Sequence, residues 1–286
     1  MPIPLLTRLG QLFPEAKKTT LRDMVAGKRV RVNGKLVGRV NTPVAEGDQI
    51  EVADPGDVPK EPVVLDEGLR LIYFDADIII VDKPAGLLTS TDSKEKRPTA
   101  WRILREYFRR QNRRNVVHLI HRLDRDASGL LIFARTQDSY ETLKRQFFDH
   151  TITRQYDVVV HGTPAKPKGR LEHFLLEDPT GVVYVTPDEK LGKLAILDYE
   201  VVETSKPKHL ARLRCALFTG RKHQIRVQLK AIGHPVCADA VYGKADEPPH
   251  RLALHAARLS LKHPRTGKTV SFESPMPGVM AHLFHL

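Results

Sequence analysis

Five consecutive apolar residues, Leu130-Leu131-Ile132-Phe133-Ala134, follow closely on a polar cluster, His121-Arg122-Leu123-Asp124-Arg125-Asp126. A run so short and so apolar reads as a buried strand. Val116 and Val117 lead into the cluster, and Ser128-Gly129 stands where a tight turn is expected. A turn hung between buried strands holds its side chains rigidly, as a reaction centre requires. Asp124 lies between Arg122 and Arg125, and a carboxylate beside guanidinium groups stays ionised and can be positioned by them. From spacing alone, a structural ion pair at a strand end fits equally well.

The chain has 286 residues, enough for one large core and a small appendage. Hydrophobic residues make up 41% and charged ones 28%, which suits a globular protein. No apolar run is long enough to cross a bilayer. The start, Met1-Pro2-Ile3-Pro4-Leu5-Leu6, lacks the basic flank and the length of a secretory signal, so a cytoplasmic location is expected. Cys215 and Cys237 have no near neighbour of their kind and fit no zinc spacing. Two free thiols in a reducing compartment are expected in preference to a disulfide. The formal net charge of +12 favours a polyanionic partner through steering and counterion release. Acidic lipid and plain solubility are the other readings of the same charge.

The first 58 residues read as a small, basic module. Leu5, Leu6, Leu9 and Phe13 predict a short helix. Thr19-Thr20 is a candidate cap for a second helix through Leu21, Met24 and Val25, with Gly27 ending it. Arg29 to Val32 alternates, Asn33-Gly34 is a hairpin signal, and Gln49 to Val52 forms a further strand. Residues 53–62 carry three prolines and a glycine and read as a linker, so the division is placed at 1–58 and 59–286. In the larger part, strands are expected at 71–74, 78–81, 130–134, 153–160, 192–202, 209–217, 252–261 and 269–272. Helices are expected around 99–110, 137–149 and 229–232. Many separated strands with few helices predict an α+β fold with a mixed, predominantly antiparallel sheet. Nothing resembles a glycine-rich phosphate loop, so no nucleotide cofactor is expected.

Residues 94–114 form the most basic tract. Arg102, Arg105, Arg109, Arg110, Arg113 and Arg114 are set against an apolar helix side of Trp101, Leu104 and Phe108. The aromatics read as core. A solvated charged face usually mixes signs and this one barely does, so contact with an RNA backbone is favoured.

His121-Arg-Leu-Asp-Arg-Asp-Ala-Ser-Gly-Leu-Leu131 resembles the central motif of the RluA-type pseudouridine synthases. Ala127 stands where that family most often has Thr. Thr219-Gly-Arg-Lys-His-Gln-Ile-Arg226 resembles a second family motif, Lys83-Pro-Ala-Gly86 its opening loop, Arg154-Gln-Tyr156 its Arg/Lys-x-Tyr pattern, and Gly233 to Gly243 a further block. Leu254-His255-Ala256 is similar to its closing strand. The N-terminal module resembles an S4-like RNA-binding domain. The resemblance implies that Asp124 is the essential catalytic residue, that Arg226 pairs with it, and that Tyr156 lies against the target base. Arg125 resembles the family's wedge into the space left by a flipped nucleotide. Arg122, Lys83, Arg102, Arg105, Arg109, Arg22 and Lys28 are assigned to RNA contact, although Lys83 could equally face solvent. His255 reads either as a base contact or as a satisfied core histidine. Asp239 and Tyr242 read as structural. Ala238 replaces a common Gly, which predicts a backbone there without positive φ.

The implied reaction turns uridine in RNA into pseudouridine without a cofactor or metal. Large-subunit ribosomal RNA is the expected substrate, transfer RNA the alternative, and a monomer the expected state. A non-catalytic RNA-binding protein would keep the basic surface and lose the Asp124, Tyr156 and Arg226 set. A hydrolase built on Asp124 would show a second catalytic carboxylate or a metal cluster.

Overall fold

The computed structural model describes residues 2–26, 29–52, 62–91 and 97–285. Residues 53–61 of the expected linker, the Gly27 helix stop and Lys28 lie outside these residues.

The first part contains β1 (Ile3–Pro4), α1 (Leu5–Leu12), α2 (Lys18–Ala26), β2 (Val30–Val32), β3 (Lys35–Leu36), β4 (Pro43–Val44) and β5 (Ile50–Val52). Leu5, Leu9, Leu21, Val25, Val30 and Val44 close a small core of their own. The second helix starts at Lys18, so Thr19 and Thr20 lie within its first turn and do not cap it. Asn33 and Gly34, with φ of 50° and 75°, make the tight reversal between β2 and β3 that an Asn-Gly pair favours.

The larger part carries one sheet of twelve strands among the described residues. In chain order these are β6 (Val63–Val64), β7 (Arg70–Phe74), β8 (Ile78–Lys83), β9 (His118–Leu119), β10 (Ser128–Ala134) and β11 (Thr153–His161). They continue as β12 (Lys168–Glu177), β13 (Val183–Thr186), β14 (Lys193–Ser205), β15 (Leu210–Leu217), β16 (Leu254–Lys262) and β17 (Thr269–Glu273). The spatial order is β13-β12-β14-β15-β11-β16-β10-β8-β7-β6. The β10–β16 pairing is parallel and the other strand pairings are antiparallel. Among the described residues, this part also has the α-helices α3 (Ala100–Gln111), α4 (Gln137–Phe148), α5 (Gln224–Ala231) and α6 (Gly278–His285).

The apolar run is a central strand covered on both faces. Leu131 and Phe133 enter one core with Ile79, Val81, Leu104 and Phe108. Leu130, Ile132 and Ala134 enter another with Ile78, Ile80 and Leu143. A strand covered on both sides has no polar alternation, which is why the sequence shows none. Helix α3 covers the first face and α4 the second. Thr99 caps α3 by accepting from Arg102 N at 3.2 Å.

The structure corrects three local expectations. Ser128-Gly129 is not a turn but the head of β10, paired with His255 and Ala256. Gly129 has φ of 110°, and a Cβ there would lie 2.6 Å from Ala256 N. Glycine is needed because two backbones meet at this crossing. Gly129→Ala is therefore expected to lower stability by about 3 kcal/mol or more through positive-φ strain plus overpacking. Thermal and urea melts would check it, and an unchanged midpoint would remove the close-approach argument. Ala238 has φ of 53°, so replacing the common Gly leaves the backbone in the left-handed region after all. Its amide is held there by Glu247 Oε1 at 2.8 Å. Helix α5 begins at Gln224, well before Leu229, directly after His223 at φ of 54°. The sequence reading also passed over α6, whose Met280 and Leu283 join the main core.

Candidate active site

Asp124 lies in the loop between β9 and β10, and the loop is held from behind. Leu123 is tied through both backbone groups to Thr89 Oγ1, at 2.8 and 3.1 Å. Lys83 is 0% exposed, and its ammonium donates to the carbonyls of Pro84, Leu87, Arg125 and Ala127 at 2.7–3.0 Å. Lys83 is thus excluded from RNA contact. It joins the Lys-Pro-Ala-Gly loop to the backbone on either side of Asp126, two positions beyond Asp124. Burial draws its pKa down to about 7, opposed by the nearby Asp124 and Asp126 carboxylates.

Asp124 Oδ2 receives Arg226 Nη1 at 3.2 Å. Arg226 is buried near the start of α5, and its Nε and Nη2 both donate to Asp239 at 2.7 Å. A guanidinium is a rigid fork, so a two-point grip by Asp239 aims the remaining nitrogen at Asp124. Burial works against the Arg226 charge, but Asp239 and Asp124 outweigh it and raise its pKa. Burial would likewise raise the Asp239 carboxyl, but the bonds from Arg226 outweigh that and hold it below the usual range. The flanking arginines do not supply the partner that the linear sequence suggested. Arg125 is exposed and forks onto Asp126 at 2.9 and 3.1 Å.

A cavity of about 640 Å³ opens over this group. Asp124, Arg226, Tyr156, Arg122 and Arg154 line it, with His223, Ile225 and Leu254. Tyr156 sits where β11 slips register against β16, between Gln155 and Tyr156. A bulge of this kind re-aims one side chain. Burial raises the Tyr156 pKa, and Arg154 pulls against that rise. Arg154 itself is held by the carbonyls of Leu217, Phe218 and Thr219. His121, also in the wall, has its pKa pushed down to about 3 by burial and by Arg154, so its ring is neutral. Its Nε2 accepts from Ile132 N at 3.3 Å. Gln224 is scaffold: its side chain bonds Thr219, Arg221 N and Ile196 O. His223 is held by Tyr242 at 2.9 Å.

His255 is not a base contact. It is 1% exposed, with Nδ1 against Ser128 Oγ at 2.8 Å and Nε2 against Ser274 O at 3.1 Å. Of the expected RNA contacts, Arg105, Arg109 and Arg22 are exposed, and Arg102 is half-buried with a bond to Arg97 O. Arg105 stacks over Trp101 at 5.0 Å, and Trp101 is anchored to Val117 O. Linear reading did not single out Thr89, and it gave Asp239 no link to Arg226. Neither residue has a local signal, because each partner is distant in sequence.

The two cysteines are free and buried. The fold places Cys237 beside His161 and Glu247, a group able to ligate a metal although no spacing revealed it. His161 Nε2 and Glu247 are already paired at 2.6 Å. Asp75, Asp77 and His263 form a second such group, engaged with Tyr73 and Arg265. Among the described residues no helix is long and apolar enough to cross a membrane.

Comparison with known proteins bears on the whole arrangement. The family model for RNA pseudouridylate synthase matches residues 77–231, more than half of the chain. The RNA pseudouridine synthase YlyB of Bacillus subtilis is 34% identical over 274 residues, covering 93% of this chain and 88% of its own. Ribosomal large subunit pseudouridine synthase D of Neisseria meningitidis is 32% identical, covering 96% of this chain and 76% of its own. Among solved structures, human RNA Pseudouridylate Synthase Domain Containing 4 aligns with a TM-score of 0.63 at 18% identity, over 75% of this chain and 91% of its own. That likeness is one of fold. Sequence match and fold together place this chain among the RluA-type RNA pseudouridine synthases.

Proposed function

We propose that the enzyme isomerises uridine in large-subunit ribosomal RNA, with Asp124 as the reacting carboxylate. The Asp239–Arg226–Asp124 array carries the chemical part of this reading. It delivers one aimed, partly exposed carboxylate into a cavity beside a buried tyrosine. Relatives in Neisseria meningitidis and Pasteurella multocida named for the large ribosomal subunit support the substrate.

Asp124 has two routes. Its oxygen can attack C1′ as the N1–C1′ bond breaks, giving a sugar ester and a uracil anion. It can instead remove the C2′ proton, giving a glycal and the same leaving group. In either case the ring turns in place and C5 bonds to C1′. The ester is expelled in the first route, and C2′ regains its proton in the second. Loss of the C5 proton and protonation of N1 complete an isomerisation with no net change in atoms. Arg226 offsets charge on the detached ring. Tyr156 stacks on that ring, and its phenol, kept protonated by burial, relays the final proton: its oxygen takes the C5 proton as its own hydrogen passes to N1. Tyr156→Phe is accordingly expected to lose about 10²-fold in turnover while binding RNA normally. Single-turnover assays beside filter binding would check this, and full turnover in the variant would confine Tyr156 to stacking.

The exposed arginines of α3, with Arg122 and Arg125, bind the RNA backbone, which positions without reading sequence. Arg125 fills the space left by the flipped nucleotide, whose unstacking costs a few kcal/mol. The first 58 residues act as an S4-like RNA-binding domain and residues 59–286 as the catalytic domain. The enzyme works as a cytoplasmic monomer.

The decisive experiment incubates the protein with unmodified ribosomal RNA and, separately, unmodified transfer RNA, then maps carbodiimide-resistant uridine adducts. New sites confined to large-subunit RNA are expected. Modification of transfer RNA alone would replace the substrate, and modification of neither would overturn the reading.

A further inference from the structure

We propose that Phe148 is a stacking platform for the base of a nucleotide adjoining the target uridine. This rests on the reading of the Asp124 cavity as the site where the target uridine reacts.

Phe148 ends α4 and is 83% exposed, the most exposed of the large apolar side chains among the described residues. Its neighbour Phe147 turns inward, with its ring 4.9 Å from that of His121 and the Arg154 guanidinium over it at 5.2 Å. Packing therefore explains Phe147 and leaves Phe148 unexplained. Phe148 nevertheless lines the same cavity as Asp124 and Tyr156. Lys144, one turn earlier and so on the same helix face, is exposed and lines it too. His150 follows at φ of 55°, also exposed and also in the lining. A second part of the lining repeats the pattern: Phe218, directly after β15, lies under the Arg170 guanidinium at 4.6 Å.

An exposed aromatic face beside a cation is what single-stranded nucleic acid uses for binding, with the base on the ring and the phosphate near the charge. Continuity with the reaction cavity selects the occupant. When the target uridine enters the cavity, the strand must leave over its rim, so the adjoining nucleotide is the group delivered to Phe148 and Lys144. Stacking tolerates any base, so this contact positions the strand without choosing its sequence.

The test uses the full chain and an oligoribonucleotide containing the mapped target uridine. Phe148→Ala is expected to lower kcat/KM by about 5- to 150-fold, the range that loss of one stacked base implies. Phe148→Tyr should stay near wild type, and both should melt as wild type does because the ring is exposed. Abasic residues are then placed at the flanking positions one at a time. At one position wild type should fall by the same factor, and Phe148→Ala should fall no further. Full activity in Phe148→Ala overturns the inference, and so do losses that multiply at every flanking position. Wild-type inactivity on every RNA overturns the functional reading itself, and this inference with it.

Discussion

Asp124→Asn is expected to abolish pseudouridine formation, with a loss of about 10⁴-fold or more, while the protein remains folded and binds RNA. The magnitude follows from the chemistry: an amide is neither a useful nucleophile toward C1′ nor a base for the C2′ proton. The structural cost is small because the substitution keeps the side chain's shape at a part-buried position that opens on the cavity. Arg226 would also keep its stronger partner, since both bonds to Asp239 are independent of Asp124. Single-turnover assays with carbodiimide mapping measure the loss, and a thermal melt confirms the fold. Residual activity within tenfold of wild type would remove Asp124 from the reaction.

Arg226→Met is expected to cost both activity and stability, which separates it from Asp124→Asn. Asp239 is 0% exposed and would be left buried without its counter-charge. Breaking one side of a buried pair costs about 3–5 kcal/mol. The pH dependence has a definite sign. The folded pKa of Asp239 lies below its ordinary value of 3.8. The stabilisation from its pairing is therefore complete above about pH 4 and is lost as pH falls through the folded pKa. In Arg226→Met the carboxyl loses the guanidinium that lowers it, and its pKa rises. The variant should lose stability relative to wild type most fully near neutrality, and the gap should narrow in acid. Urea melts at a series of pH values would read this, and a constant gap would contradict the pairing argument. Arg226→Lys should rescue charge but not turnover, because one ammonium cannot grip Asp239 at two points and also reach Asp124.

The contrast between these variants follows from how the site is built. Lys83 and Thr89 hold the backbone around Asp124, while Asp239 and Arg226 hold its side chain. The loop and the side chain are thus fixed by different parts of the chain before substrate arrives. Such preorganisation lets a single carboxylate be presented in one rotamer.

Much of this was legible in the linear chain. The capped helix after Thr99 and the Asn33-Gly34 reversal rest on interactions between near neighbours in sequence, and the strand 130–134 and the α+β pattern show in the spacing of apolar residues, so turn chemistry and apolar patterning carry them. The motif residues Asp124, Tyr156 and Arg226 were named from resemblance, and the fold brings them into one cavity.

What linear reading could not supply was which way a side chain points when its partners are distant. Lys83 and His255 are polar residues in motifs, and by type they suit RNA contact. Lys83 instead binds carbonyls up to 44 positions away, and His255 binds Ser128 across 127. Gly129 looked like a turn because glycine marks turns, whereas the reason for it is the backbone of Ala256 in another strand. Asp124 sits between two arginines in sequence, yet its ion pair is with Arg226, 102 residues on. The sequence by itself determined most of the local elements and named the candidate reacting groups. Tertiary structure alone decided their partners and orientation, because burial and ion pairing depend on distances that spacing along the chain does not encode.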